Sequence, residues 1–352
     1  MQPVFNLRNM KILVTGGAGF IGSHTVVELQ QAGYDVVAID NFENSSPQVV
    51  DNIKKISGKP FDFIKVDIRE KHALNDVFVT HPDIKAVIHF AAYKAVGESV
   101  EKPLAYYENN VGGTLNLVEA MQAHGVQNLV FSSSCTVYGD VKADALPITE
   151  NSPIVKANSP YGNTKKIGEE LLFDVAKSST TKIVALRYFN PIGAHDSALI
   201  GELPNGVPNN LIPFVTQTAI GMREKLTIFG NDYPTRDGSC IRDYIHVVDL
   251  AKAHVKAIEF LNTHTDQYAV FNIGTGNGNT VLEVVAAFEK VSGKKLNYAF
   301  GPRREGDVVQ IFASCDKAAN ILGWKAERTL DNALETAWKW ELHLQALKGA
   351  NQ

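Results

Sequence analysis

Short apolar runs punctuate the first half of the chain: Lys11-Ile-Leu-Val-Thr15, Asp35-Val-Val-Ala-Ile-Asp40, Phe61-Asp-Phe-Ile-Lys-Val66, Ala86-Val-Ile-His-Phe90, Leu129-Val-Phe131 and Ile183-Val-Ala-Leu-Arg187. They are rich in β-branched residues and lack in–out alternation, the pattern of strands buried on both faces. Longer amphipathic stretches separate them, among them Gly112 to Ala123 and Pro160 to Ala176. Strand and helix in alternation predict an α/β fold, a doubly wound parallel sheet covered by helices on both faces.

Past Asn190 the texture changes. Pro191, Pro204, Pro208 and Pro213 break the periodicity, and helical patterns return at 247–262, 281–292 and 329–347. We expect a Rossmann-type domain over residues 10–190 and a smaller α+β domain over 191–352, with some elements free to interleave. A chain of 352 residues suits that division.

Composition narrows the class. A net charge of −4 gives no general attraction to nucleic acid or anionic membrane. No apolar run approaches the length of a membrane span. Residues 1–9 carry no secretory pattern and read as a short tail without a role. The three cysteines, Cys135, Cys240 and Cys315, fit neither a disulfide framework nor a zinc site, so a reducing compartment, the cytoplasm, is expected. No metal-ligand cluster is visible.

The candidate chemistry begins at Thr15-Gly-Gly-Ala-Gly-Phe-Ile-Gly22, between the first strand and the first helical pattern. Gly16, Gly19 and Gly22 permit a tight turn and let backbone N–H groups approach a pyrophosphate at a helix N-terminus. Asp40 ends the second strand, where a carboxylate accepts from ribose hydroxyls and repels a 2′-phosphate, favouring NAD over NADP. Asp67, past the third run, is placed to reach the adenine. Tyr161 and Lys165 lie four apart at the start of a helix and share a face. A tyrosine ionises near pH ~10, so it serves as a base only if a neighbouring ammonium lowers that value. Ser134, in the polar cluster after the fifth strand, can hydrogen-bond a hydroxyl undergoing oxidation.

Glycine loop, serine cluster and Tyr-x-x-x-Lys in this order resemble the extended short-chain dehydrogenase/reductases, and within them the UDP-galactose 4-epimerase branch. The likeness runs from Lys11 to about Trp340. It is carried by His89-Phe-Ala-Ala-Tyr-Lys-Ala-Val-Gly-Glu-Ser99, Tyr106-Tyr-Glu-Asn-Asn110, Tyr188-Phe-Asn-Pro-Ile-Gly-Ala-His195, Arg242-Asp-Tyr-Ile-His-Val247 and Pro302-Arg-Arg-Glu-Gly-Asp307. The resemblance implies an isomerase acting on a UDP-hexose through bound NAD. It implies NAD contacts at Gly16, Gly19, Phe20, Ile21, Gly22, Asp40, Asn41, Asn44, Ser45, Asp67, Ile68, Phe90, Ala91, Lys94, Asn109, Ser132, Tyr161, Lys165 and Phe189. For the nucleotide sugar it implies Ser134, Tyr161, Asn190, Asn210, Leu211, Thr227, Ile228, Phe229, Arg242, Tyr244, Arg304, Asp307 and Ile311. It further implies a homodimer joined through helices at Leu104–Ala123 and Pro160–Ala176.

The active-site helix departs from the commonest pattern of the branch, reading Tyr161-Gly-Asn-Thr-Lys165 rather than Tyr-Gly-Lys-Ser-Lys, which leaves the pair intact. Two further features bear on substrate. Dehydratases on this scaffold carry Asp-Glu after the serine cluster; Cys135 and Thr136 stand here, and neither can eliminate water. In the family the chain resembles, the residue four positions past the acid at Asp307 helps set hexose-pocket volume, and bulky side chains there exclude N-acetyl sugars. Ile311 is of intermediate size, so glucose and galactose are expected as the main sugars and N-acetylhexosamines are left open, as, separately, are pentoses. A catalytically silent NAD sensor is disfavoured because Ser134, Tyr161 and Lys165 are all present.

Overall fold

The computed structural model describes residues 10–304 and 307–350, so the N-terminal tail and Glu305–Gly306 of the Pro302–Asp307 segment lie outside the described residues. Its strands are β1 (Lys11–Thr15), β2 (Asp35–Asp40), β3 (Asp62–Lys65), β4 (Ile84–His89), β5 (Asn128–Ser134), β6 (Lys182–Tyr188), β7 (Asn190–Ile192), β8 (Leu226–Phe229), β9 (Ile241–His246), β10 (Tyr268–Ile273), β11 (Gly278–Thr280), β12 (Tyr298–Gly301) and β13 (Gln310–Ile311). The helices are α1 (Phe20–Gln31), α2 (Pro47–Ser57), α3 (Lys71–Thr80), α4 (Val96–Glu101), α5 (Pro103–Tyr106), α6 (Gly113–Ala123), α7 (Pro160–Ser178), α8 (Leu211–Ala219), α9 (Val247–Thr263), α10 (Val281–Ser292) and α11 (Leu330–Ala350).

A seven-stranded sheet runs β10-β6-β5-β4-β1-β2-β3. Pairing is parallel from β5 through β4, β1 and β2 to β3. β2 and β3 lie to one side of β1, and β4, β5 and β6 to the other, so the order switches direction between β1 and β4, the point where open α/β sheets bind ligands at the strands' carboxyl ends. All six apolar runs form strands of this sheet. The seventh, β10, comes from the second half of the sequence, where the pattern alone left its partner open.

The chain forms two compact units whose segments alternate along the sequence. The first holds the described residues up to Ser134, Ser159–Leu186 and Ala251–Val270; the second holds Cys135–Asn158, Arg187–Leu250 and the described residues from Phe271. This differs from a serial cut at residue 190 over three stretches, 135–158, 187–190 and 251–270. Periodicity reports where an element lies along the chain, not which sheet or core it joins.

The first unit's core packs sheet residues such as Leu13, Val37, Val87, Leu129 and Ala185 against Leu74, Leu117 and Leu172 from α3, α6 and α7. The second unit is the smaller α+β part. It sets α8, α10 and α11 around Ile228, Tyr244, Phe288 and Trp338. A satellite cluster there joins Cys135, Tyr138, Phe189 and Ile311.

The helical stretch expected from Leu104 to Ala123 forms, but not as uniform α-helix. Between α5 and α6 the backbone widens into a π-turn at Tyr107–Gly112, burying Asn109 and Asn110. Such bulges often mark functional sites because they redirect side chains out of helical register.

Candidate active site

In the first unit, the glycine loop leaves β1 and becomes α1, whose N-cap is Gly19 with no side-chain cap and no acidic residue in the first turn. The N–H groups of that turn, with Phe20 and Ile21 in it, therefore remain suited to an anion. Gly16 takes φ +69°. A Cβ on Gly22 would lie 2.1 Å from the Gly16 carbonyl oxygen, so only glycine lets helix and loop meet this closely.

Asp40 closes the other side. Its Oδ2 accepts from the Ala18 N–H at 3.1 Å, and its Oδ1 from the Phe42 N–H and Ser45 Oγ at 2.9 Å. Asn41 donates to Asp67 at 2.9 Å. The bidentate Arg69 guanidinium holds the Asp67 carboxyl down to about 2, against burial and aided by the Asn41 amide. Asn44 is exposed beside them, and Ile68 is buried. Across β1, the Phe90 N–H donates to Thr15 O at 3.1 Å and the Ala91 N–H to Thr15 Oγ1 at 3.3 Å. Lys94 sets its Nζ 5.9 Å from the Phe20 ring centroid. Loop, acid and helix terminus together fit a dinucleotide with an unphosphorylated 2′-hydroxyl.

The catalytic candidates converge at the end of β5. Ser159 caps α7 by accepting from the Gly162 N–H at 3.1 Å, with Pro160 at the first turn, and Tyr161 and Lys165 follow on one face. Lys165 is 4 % exposed and donates to Ser132 O at 2.6 Å and Ser132 Oγ at 3.2 Å. Burial pulls its ammonium down to about 7, opposed by the Glu169 carboxylate one turn on. Ser134 ends the same strand, nearly buried.

Several polar groups support this corner, and among them the sequence reading gave a role to Asn109 alone. His89 places its ring nitrogens 2.7 Å from Thr15 Oγ1 and 3.0 Å from Thr114 Oγ1. Burial, with the Lys165 charge adding, holds it down to about 3, so the ring is neutral. Asn110 donates to Thr164 Oγ1 at 3.0 Å, and that hydroxyl donates to the Tyr161 carbonyl at 2.7 Å. Asn109 donates to Asn110 Oδ1 at 3.0 Å. Ser133 donates to Glu169. The one available signal for Glu169 was its position a turn past Lys165 on the same face.

The second unit gathers the nucleotide-sugar candidates. Asp307 stands between two guanidinium groups: Arg304 binds it bidentately at 3.1 and 2.7 Å, and Arg242 lies 3.5 Å away. Arg304 also lies 5.6 Å from the Phe229 ring centroid, and Phe229 is 42 % exposed. Thr227, Ile228 and Phe229 share β8, with Ile228 turned into the core. Tyr244 is buried there too, and burial raises its phenol above the ordinary range. Asn190 opens β7, and its register partner is Tyr244. Asn210 occupies the N-cap position of α8 without a side-chain capping bond and donates instead to Glu202, with Leu211 next in the helix. Ile311 pairs in register with Arg242 and packs beside Phe189.

Between Arg242 and Tyr244 lies Asp243, also overlooked. Its fully buried carboxylate accepts from the Thr275 N–H (2.8 Å) and Oγ1 (2.7 Å), the Gly276 N–H (3.1 Å) and the Ala313 N–H (3.2 Å). It ties β9 to the turn before β11 and to the segment after β13.

Comparison with known proteins identifies the architecture. The family described as "NAD dependent epimerase/dehydratase family" matches residues 12–274. The chain belongs to this family. Among its relatives, the UDP-glucose 4-epimerase of Bacillus subtilis (strain 168) is 53 % identical over 333 residues, covering 94 % of this chain and 97 % of that protein. A UDP-glucose 4-epimerase from Bifidobacterium longum, solved with NAD+ and UDP, superposes with a TM-score of 0.90 at 47 % identity, over 95 % of this chain and 98 % of that one. One from Stenotrophomonas maltophila, with NAD and a formylated UDP-arabinopyranose, gives 0.93 at 46 % identity, over 96 % and 99 %. None of the described helices is long and apolar enough to cross a membrane.

Proposed function

We propose that this chain is an NAD-dependent isomerase that interconverts UDP-galactose and UDP-glucose by inverting C4 of the hexose through a transient 4-keto sugar. One observation carries the residue assignment: the nearly buried Lys165 ammonium, fixed on Ser132 at the end of β5, with Tyr161 one turn earlier on the same helix. Bound NAD supplies the hydride acceptor at C4 and the source from which the hydride returns.

The chain's own residues handle proton and position. Tyr161, ionised, takes the proton of the sugar 4-hydroxyl and gives it back after the sugar presents its other face. Lys165 favours that phenolate by its charge, and Glu169 favours the charge on Lys165. Ser134 aligns the hydroxyl. Arg242 and Arg304 take the diphosphate through planar forks, exchanging part of their hold on Asp307 for phosphate oxygens. Anchoring at the diphosphate leaves the hexose free to turn.

The test is product analysis with UDP-galactose and no added nicotinamide. Wild-type protein yields UDP-glucose, and Tyr161→Phe lowers turnover at least ~100-fold. A variant rate near wild type refutes the proton role. A wild-type product that is a stable 4-keto-6-deoxy sugar refutes the epimerase reading in favour of a dehydratase.

Ile311, in register with Arg242, supports a second reading in which UDP-N-acetylhexosamines also enter. We further propose a cytoplasmic homodimer. Val100 on α4, Leu104 on α5, Leu115 on α6 and Phe173 on α7 are exposed apolar side chains, Leu104 at 82 %, and light scattering after gel filtration reports the mass.

A further inference from the structure

Two loops flank the glycine loop, one after β2 and one after β4, because β1 sits between those strands. Backbone contacts hold the glycine loop to both. On the β2 side the Gly17 N–H donates to Ile39 O at 3.0 Å and the Ala18 N–H to Asp40 at 3.1 Å. On the β4 side a Cβ at Gly16 would lie 2.8 Å from the Ala91 nitrogen. A coenzyme lying along the glycine loop must therefore enter between these two loops.

Side chains bridge that entrance. The Tyr93 hydroxyl, on the loop after β4, lies 2.8 and 2.7 Å from the two carboxylate oxygens of Glu43, on the loop after β2. Neither end is free to drift. The Tyr93 N–H donates to Asn110 Oδ1 at 2.8 Å and its carbonyl accepts from Asn110 Nδ2 at 3.0 Å. Its ring packs edge-on against Tyr106, centroids 5.4 Å apart. At the other end, Phe42 adopts φ +63°, a left-handed turn held by its N–H on Asp40, and the Glu43 N–H donates to Asn41 at 2.9 Å. Arg69, paired with Asp67, reaches to 3.5 Å from Glu43 and 5.9 Å from the Tyr93 ring centroid.

We infer that Tyr93 and Glu43 form a clasp over the adenosine side of the coenzyme site, whose hydroxyl–carboxylate bond must break for coenzyme to leave. The inference rests on the coenzyme reading above, and it assigns retention of the dinucleotide to two residues outside the ribose and phosphate contacts. Arg69 and Asn41 link the clasp to Asp67, so closing it also steadies the adenine-facing carboxylate. A bond between two loops that both reach water when open contributes about one ordinary hydrogen bond, near 5-fold in an escape rate.

The test measures exchange, not turnover. Purified protein carrying its coenzyme is mixed with excess isotopically labelled NAD, and bound nicotinamide nucleotide is extracted and weighed by mass spectrometry over time. Tyr93→Phe, which keeps the ring and its packing, exchanges about 5-fold faster. Glu43→Ala does so comparably, and the double variant is no faster than the faster single one, because both remove the same bond. Wild-type exchange rates in Tyr93→Phe, or additive effects in the double variant, overturn the clasp. Purified wild-type chain that carries no NAD and takes up none overturns instead the coenzyme reading beneath it.

Discussion

Burying an ammonium as deeply as Lys165 should leave a measurable trace in stability. In the unfolded chain the group keeps its proton until about pH 10. In the folded chain desolvation lowers its pKa from 10.5 to about 7, even with Glu169 opposing. Below 7 both states hold the proton, and the folded state carries the full cost of a buried charge. Between 7 and 10 the unfolded state binds more protons, so stability rises with pH. Each pH unit in that window contributes at most ~1.4 kcal/mol, and the whole shift is of order 5 kcal/mol. Lys165→Met keeps the length and removes the charge. The variant loses the bonds to Ser132, a constant offset, together with the pH-dependent part. His89 titrates well below this window in the folded state, so its contribution cancels in the difference. Equilibrium urea unfolding of both proteins from pH 6 to pH 9 checks this. The wild-type-minus-variant difference stays flat up to about pH 7 and then grows by ~2–3 kcal/mol by pH 9. A difference flat across the whole range refutes the claim that Lys165 is a desolvated cation in the folded state.

Other perturbations test the two halves of the site. Gly22→Ala places a Cβ 2.1 Å from a backbone oxygen; the strain, ~1–3 kcal/mol or more, appears as a lower melting temperature and as loss of co-purifying coenzyme. Arg242→Lys replaces a fork with a point charge, so KM for UDP-galactose rises ~10-fold or more while kcat changes less, read from steady-state kinetics. Ile311→Ala opens space beside Phe189 at a cost of ~2–4 kcal/mol, and the rate ratio of UDP-N-acetylgalactosamine to UDP-galactose increases; an unchanged ratio removes Ile311 from substrate selection.

The local rules were legible along the chain. Apolar runs marked every strand from β1 to β6, because a strand buried on both faces has little choice of residue. Gly22 could be assigned to a close approach and Asp40 to a strand end because such constraints act over a few residues. The four-residue spacing of Tyr161 and Lys165 fixed their common face by helical geometry alone. What the pattern could not carry was partnership between distant segments. Nothing local to Tyr268–Ile273 says that it adds a seventh strand beside β6. Nothing local to Cys135–Asn158 says that it packs with residues beyond 187.

The same division runs through the site. Sequence determined which side chains can do the chemistry, since reactivity resides in residue type and short-range spacing. Tertiary structure decided their state. Lys165 gives up its proton far below the usual lysine range because burial under β5 and α7 disfavours its charge; His89 is neutral because burial and the nearby Lys165 charge both oppose protonation. Glu43 meets Tyr93 because β1 brings together loops from strands far apart in the chain. Burial and electrostatics depend on neighbours in space, and those neighbours are fixed only when the sheet has formed.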